Sequence, residues 1–238
     1  TRALAATLTG EAVMREQRFP GAVLTRVARS LIRVGTFQFF ASQRDDEALE
    51  TLTRYVLARH YPDRVDDENP YLALIDAVMD AQALLVAQWM QVGFIHGVMN
   101  TDNTQVAGET IDYGPCAFMD TYDPATGYSF IDRGGRYAFA NQPRIAHWNV
   151  ACLAQALLTL IDDDEERAVE RAQAAIEPFP DRFRKAWTDG MRRKLGLNLE
   201  HDGDDALAES LLQAMHDGGA DFTLTFRALS QLGDEPGP

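Results

Sequence analysis

Two short polar phrases carry the residues best able to do chemistry. The first reads His96-Gly-Val-Met-Asn100-Thr-Asp102-Asn103; the second, eight residues later, reads Ile111-Asp112-Tyr113-Gly114-Pro115. Together they offer two carboxylates and an amide, all oxygen donors, in turns that follow a long apolar stretch. Mg²⁺ is a hard cation that prefers carboxylate and amide oxygens and is shared with substrate phosphates, so this set suits metal-dependent phosphoryl or nucleotidyl transfer. Asp102 can accept a proton from an attacking hydroxyl, while Asn103 and Asp112 supply one oxygen each to the metal. Gly114 lets the backbone turn so that Asp112 points into a cleft. By composition alone, Asn-Thr-Asp-Asn also reads as an ordinary polar turn held by Asx hydrogen bonds.

Protein kinases divide the work in the same way: one loop carries a base Asp and a metal Asn, and a following Asp-Phe-Gly carries the second metal Asp. Arg26 and Arg33 are the other candidates. Two convergent guanidinium groups, each a planar fork with a permanent charge, make a triphosphate clamp; their plainer reading is two surface arginines. His96, beside Gly97, reads as a structural histidine bonded to a backbone carbonyl of the loop. The aromatic cluster Phe37, Phe39 and Phe40 reads as core. Cys116 and Cys152 form no metal-spaced set and no disulfide framework, which fits a reducing compartment. Cys116, next to the metal Asp, reads either as redox-sensitive or as a small buried residue.

The elements that must position these groups are mainly helical. Residues 2–28 have strand character, with a break at Gly10, a hairpin return over residues 12–16 and a turn at Pro20-Gly21. From Ser30 the pattern turns helical, and Asp45-Asp46 caps a helix with Leu49, Leu52, Tyr55 and Val56 at three and four spacing. Asn69-Pro70 starts the longest helix, expected to run to about Phe94 and to lie at the centre of a helical lobe. Residues 118–139 are rich in turn signals. Helices are expected over 145–161, 165–195, 206–215 and 222–232, with fraying at 234–238. The acidic run 162–166 reads as a solvated helix boundary with a capping role.

With 238 residues, 36 acidic against 22 basic side chains and a net charge of −14, the chain can build one substantial core. Its surface repels a nucleic-acid backbone, so no nucleic-acid partner is expected. ATP is not excluded, because Arg and Mg²⁺ can meet its phosphates locally. Charged or amide residues interrupt every apolar run, so no membrane span is expected either. The chain opens at Thr1 directly in strand-like sequence, as an excised piece would.

These residues resemble the selenoprotein O family, the kinase-like protein adenylyltransferases of bacteria and mitochondria. The resemblance rests on Thr1-Arg-Ala-Leu-Ala, Thr9-Gly-Glu, Arg15-Glu, Gly21-Ala-Val-Leu-Thr-Arg-Val-Ala and Ile32-Arg-Val-Gly-Thr-Phe-Gln. It continues through both polar phrases, Phe118-Met-Asp, Gly135-Arg-Tyr-Ala-Phe-Ala-Asn-Gln-Pro-Arg and Trp148-Asn, in the family's order over nearly the whole chain. It implies a kinase fold that transfers AMP instead of a phosphate, with ATP flipped so that a Ser, Thr or Tyr hydroxyl of a protein attacks the α-phosphorus and pyrophosphate leaves. Carried over, Asp102 resembles the proton acceptor, Asn103 and Asp112 the Mg²⁺ (or Mn²⁺) ligands, and Arg26, Arg33 and Asp112 the nucleotide contacts.

Leu31 departs from the family, which has a histidine there. The family's glycine-rich nucleotide loop, phosphate-binding Lys and its Glu partner are expected upstream of Thr1, and its C-terminal region with selenocysteine or cysteine is also missing. The expected fold is therefore α+β and mainly helical: a protein-kinase-like C-lobe over residues 41–238, preceded over residues 1–40 by a short antiparallel β segment, the remnant of the N-lobe strands and hinge. The expected function is metal-dependent adenylylation of protein hydroxyls. Kinase-type phosphoryl transfer and a non-catalytic helical interaction module are the alternatives. The bacterial cytoplasm is the expected compartment, or the mitochondrion for a eukaryotic chain.

Overall fold

A computed structural model describes residues 1–231. Its first elements, β1 (Arg2–Met14) and β2 (Arg18–Val27), form a two-stranded antiparallel ribbon whose residues are almost all exposed. The expected break at Gly10 is instead an irregularity within one strand: Gly10 takes φ +78°, and the register shifts between Leu8 and Ala12. The turn falls over residues 15–17, and Pro20-Gly21 stays within β2. Pro20 is tolerated because a two-stranded ribbon leaves half its backbone groups unpaired. Gly21 is required because a Cβ there would lie 2.8 Å from Thr9 Oγ1 and 2.9 Å from the Glu11 carbonyl oxygen.

The rest is helical. α1 (Val34–Gln43), α2 (Asp46–His60) and α3 (Pro70–Gln91) precede a small ribbon of β3 (Phe94–Ile95) and β4 (Ala117–Phe118); α4 (Gln142–Ala156), α5 (Leu158–Ile161), α6 (Glu165–Ile176), α7 (Phe179–Leu195), α8 (Asp204–Asp217) and α9 (Phe222–Leu229) follow. Asp45 caps α2 by accepting from Ala48 N–H at 2.9 Å, and Asn69 caps α3 by accepting from Leu72 N–H at 3.0 Å, with Pro70 in the first turn. Asp164 caps α6 in the same way, as the acidic boundary suggests.

α3 ends at Gln91, earlier than expected, where Gly93 at φ +69° turns the chain into β3. The helix expected over 145–161 bends at Leu157 with no breaker in the sequence. The one expected over 165–195 divides before Phe179, where Pro178 and Pro180 remove donors that a continuous helix needs. Residue 232 and the expected fraying at 234–238 lie outside the described residues.

α3 is the centre of the molecule, packed chiefly against α7 and α4. Leu74, Ile75, Val78, Met79 and Val86 are fully buried on it, each worth about 1.5–3 kcal/mol by removal from water. By length and composition alone α3 could cross a membrane, which the interrupted apolar runs did not suggest, but over half of its apolar window is buried inside this fold. In the aromatic cluster, Phe37 is buried and Phe40 packs on the core, whereas Phe39 is exposed and meets Phe40 edge-on.

Asp76 anchors α3 to its surroundings, accepting from Arg64 at 2.7 Å and from Arg182 of α7 at 2.5 Å. Burial pushes its carboxyl pKa up, but the bonds from Arg64 and Arg182 outweigh that and hold it below the ordinary value. A carboxylate whose folded pKa is depressed stabilises the fold above its unfolded pKa, about 3.9, and loses that contribution as pH falls through the folded value. The site is only partly buried, so Asp76→Ala is expected to cost about 1–2 kcal/mol at neutral pH. Urea denaturation at several pH values checks this: the difference between wild type and variant should shrink below about pH 4, and a difference unchanged there would contradict it.

Candidate active site

β3 and β4 bracket the two polar phrases, and His96 binds them to each other. The buried imidazole lies with Nε2 2.8 Å from the carbonyl oxygen of Ile111, the residue before Asp112, while Nδ1 accepts from Val98 N–H at 3.3 Å. That pairing requires the neutral ring with its proton on Nε2, and burial, the largest influence, pushes its pKa down. The structural reading of His96 is therefore correct. Gln142, at the start of α4, fixes its backbone: its Oε1 accepts from His96 N–H at 3.0 Å and its Nε2 donates to Phe94 O at 3.0 Å. Gly97, at φ +81°, packs against Pro115, where a Cβ would come within 3.0 Å of the ring.

Asn100 makes the ordinary Asx turn. Its Oδ1 accepts from Asn103 N–H at 3.0 Å and caps a 3-10 turn over Thr101–Asn103. That turn exposes Asp102 and sets its carboxylate against Gly35, in the first turn of α1. Asn103 donates from Nδ2 to Val98 O at 3.0 Å, which leaves Oδ1, the atom able to ligate a cation, as the end not held by that bond. Asp112 has φ +55°, one of two non-glycine residues in the left-handed region among the described residues, and its side chain is exposed. Such a conformation costs about 1 kcal/mol and tends to persist where function requires it.

The two arginines arrive from the β segment. Arg26, on β2, lays its guanidinium 3.9 Å above the ring of Tyr113, the residue that follows Asp112. Arg33 precedes α1 and is strapped to the chain just after Asn103: it bridges to Gln105, Val34 N–H donates to Thr104 O at 2.9 Å, and Val106 N–H donates to Ile32 O at 3.1 Å. Both are exposed, and neither takes part in an ion pair among the described residues.

Among the described residues no group of three His, Cys, Asp or Glu side chains is arranged to hold a metal. Asn103 and Asp112 can offer one amide and one carboxylate oxygen, which fits a hard cation that takes its remaining ligands from phosphate and water. Cys116 is half-buried and burial pushes its thiol pKa up; buried Cys152 behaves alike, so neither is an activated thiolate. The cavity of about 480 Å³ between α3, α4, α7 and α8 includes none of these residues.

Sequence reasoning missed the supports. Gly35, Gln142, Tyr113 and Asn149 act through tertiary contacts that no local pattern announces. Asn149, fully buried, donates to Met99 O at 2.9 Å. Gly35 gives a sharp test, because a Cβ there would collide with Asp102 Oδ1. Gly35→Ala is expected to displace the carboxylate and reduce any Asp102-dependent turnover by about 100-fold, since a misplacement of about 1 Å can cost that much. The fold should survive, because Ala suits a helix better than Gly. Turnover and melting temperature measured together check this; turnover at the wild-type rate would contradict it.

A family model described as protein adenylyltransferase SelO matches residues 1–236. The chain is 60% identical over 236 residues to a protein nucleotidyltransferase YdiU of Rhizobium etli (strain CIAT 652), covering 99% of this chain and 47% of that protein. It is 58% identical over 236 residues to the protein of the same name in Bradyrhizobium diazoefficiens, covering 99% of this chain and 48% of that protein. For the protein of that name in Methylorubrum extorquens (strain PA1), identity is 60% over 238 residues, covering 100% and 48%. The chain thus spans about half the length of the curated relatives it matches.

Proposed function

The chain belongs to the SelO family, and from that premise we propose that it carries the catalytic groups of a nucleotidyltransferase that moves AMP from ATP to Ser, Thr or Tyr hydroxyls of proteins. The observation that carries this reading is the His96 bridge between the two polar phrases, together with the Asn103 amide turned so that its oxygen is available. Asn103 and Asp112 would hold Mg²⁺ or Mn²⁺, which when bound neutralises phosphate charge and polarises the α-phosphoryl group. Asp102 takes the proton of the protein hydroxyl as its oxygen bonds to the α-phosphorus. The bond from that phosphorus to the β-phosphate bridging oxygen breaks, and pyrophosphate leaves with its electron pair. Arg26, steadied on Tyr113, and Arg33 offer fixed positive charge to the phosphates. In this reading residues 41–238 form a kinase-like C-lobe, and residues 1–40 its β segment and hinge.

ATP labelled at the α- or the γ-phosphorus, incubated with the protein at the full length of its relatives and with lysate proteins, tests the reaction. α-Label on protein is the expected result; γ-label on protein instead means kinase-type transfer. No transfer, together with nucleotide binding indifferent to Asp112, leaves a non-catalytic helical module. The 238-residue chain alone is expected to bind ATP weakly and transfer AMP negligibly, because it contains no glycine-rich phosphate loop with the Lys and Glu that accompany it in the family. Robust adenylylation by this chain alone would overturn that. The relatives named above are bacterial, and a bacterial cytoplasmic location is part of the proposal; nucleic acid is not an expected partner for a chain of net charge −14.

A further inference from the structure

The segment after β4 is tightly built yet presents bulky apolar side chains to water. Phe139 N–H donates to Thr126 O at 2.9 Å and Ala140 N–H to Pro124 O at 3.0 Å, closing the base of the loop. Both oxygens of Asp132 are engaged within it, by Arg136 N–H at 2.9 Å and Tyr137 N–H at 2.8 Å, and Asn141 Nδ2 donates to Gly135 O at 2.7 Å. At the tip of this braced turn Phe130 is 91% exposed and Ile131 83% exposed. Tyr128 ties the same turn to the strand that follows the Asp112 loop, donating to Phe118 O at 3.2 Å.

Along residues 127–148 the charge runs against that of the molecule, with Asp120 the acid that faces Tyr128 from just outside that span. Residues 127–148 contain Arg133, Arg136 and Arg144 against the single, already engaged Asp132, in a chain of net charge −14. All three arginines are exposed, and none is ion-paired among the described residues. Arg136 lies 4.6 Å over the half-exposed Trp148 ring, and Arg144 sits one turn before Trp148 on α4, so the two cations and the indole share one face. A rigid surface that combines exposed apolar groups with unneutralised guanidinium forks suits a partner carrying both carboxylates and a large side chain.

We propose that this surface docks an acidic segment of the protein substrate, its carboxylates on Arg136 and Arg144 and a bulky side chain against Phe130 and Ile131. The inference rests on the adenylyltransferase reading for the word substrate, but docking can be measured without the reaction. The probes are fluorescein-labelled random copolymers of Glu with Tyr and of Lys with Tyr, titrated by anisotropy into the protein at the full length of its relatives, without nucleotide. The Glu copolymer is expected to bind at least about tenfold more tightly than the Lys copolymer. Arg136→Glu with Arg144→Glu should weaken that binding by about tenfold or more, and Phe130→Ser with Ile131→Ser by about threefold or more. Mn²⁺-ATP binding and the melting temperature should stay at wild-type values in both variants, whose altered side chains are all exposed. No preference for the Glu copolymer, or unchanged binding by both variants, would overturn the proposal, as would protection of a Phe130→Cys thiol from maleimide in the unliganded full-length protein. Docking that responds to these changes in a protein that transfers no AMP would sink the adenylylation reading and leave the docking surface standing.

Discussion

Asp102→Asn should reduce AMP transfer by the full-length protein by about 10²–10⁴-fold, the usual worth of a positioned general base, while binding of ATP and metal changes little. Asparagine keeps the size of the side chain beside Gly35 but cannot take the proton of the incoming hydroxyl. The loss should therefore appear in kcat rather than in KM for ATP. It should also depend on the acceptor, because a nucleophile that arrives already deprotonated needs no base. Hydroxylamine, which is nucleophilic without loss of a proton beforehand, is expected to recover part of the missing rate. A variant with wild-type kcat would remove Asp102 from the chemistry.

Replacing Asp112 separates backbone strain from function. Asp112→Ala removes a proposed metal oxygen and leaves a residue with a Cβ at φ +55°, so it should both weaken metal-dependent nucleotide binding and lower stability. Asp112→Gly removes the same oxygen but suits the left-handed conformation, so its melting temperature should equal or exceed that of the alanine variant. Loss of outer-shell partners alone costs metal sites about 10–100-fold, so loss of a ligand should reach about 100-fold or more in both variants. Nucleotide binding measured by calorimetry with and without Mn²⁺, beside thermal denaturation, checks the pair. Equal binding by wild type and both variants would contradict the assignment and favour a non-catalytic module.

The helical part of the fold was legible because its signals are local. Asp45, Asn69 and Asp164 are capping residues ahead of apolar periodicity, and each caps the helix it introduces. What failed were boundaries and turns set by tertiary contact. Gly10 reads as a break but serves as a bulge inside a long strand. Pro20-Gly21 reads as a turn but lies in a strand, because Gly21 has the backbone of the facing strand against it. Phe39 reads as core from its neighbours, yet its position on α1 faces water.

The candidate site is legible to the extent that its proposed chemistry is written in consecutive residues. Asp102, Asn103 and Asp112 stand in two compact phrases, and His96 could be assigned a carbonyl-binding role from its place before Gly97. The residues that hold them were not legible. Gln142, Asn149 and Gly35 lie 40 or more positions away from the groups they support, and nothing in their neighbourhoods marks them. The Tyr113 ring beneath Arg26 is likewise a tertiary contact, and the nucleotide role of Arg26 remains the family's contribution. Arg33 is tied to the site through its backbone, and its guanidinium role remains the family's contribution.

Diffraction from crystals of the full-length protein grown with Mn²⁺ and a non-hydrolysable ATP analogue, recorded at the manganese absorption edge, would locate the metal among these residues. The expected result is an anomalous peak about 2.0–2.3 Å from both Asn103 Oδ1 and an Asp112 carboxylate oxygen, with phosphate oxygens completing the shell and Asp102 facing the α-phosphorus. Manganese bound through other residues, or Asn103 and Asp112 turned away from an ordered nucleotide, would contradict it.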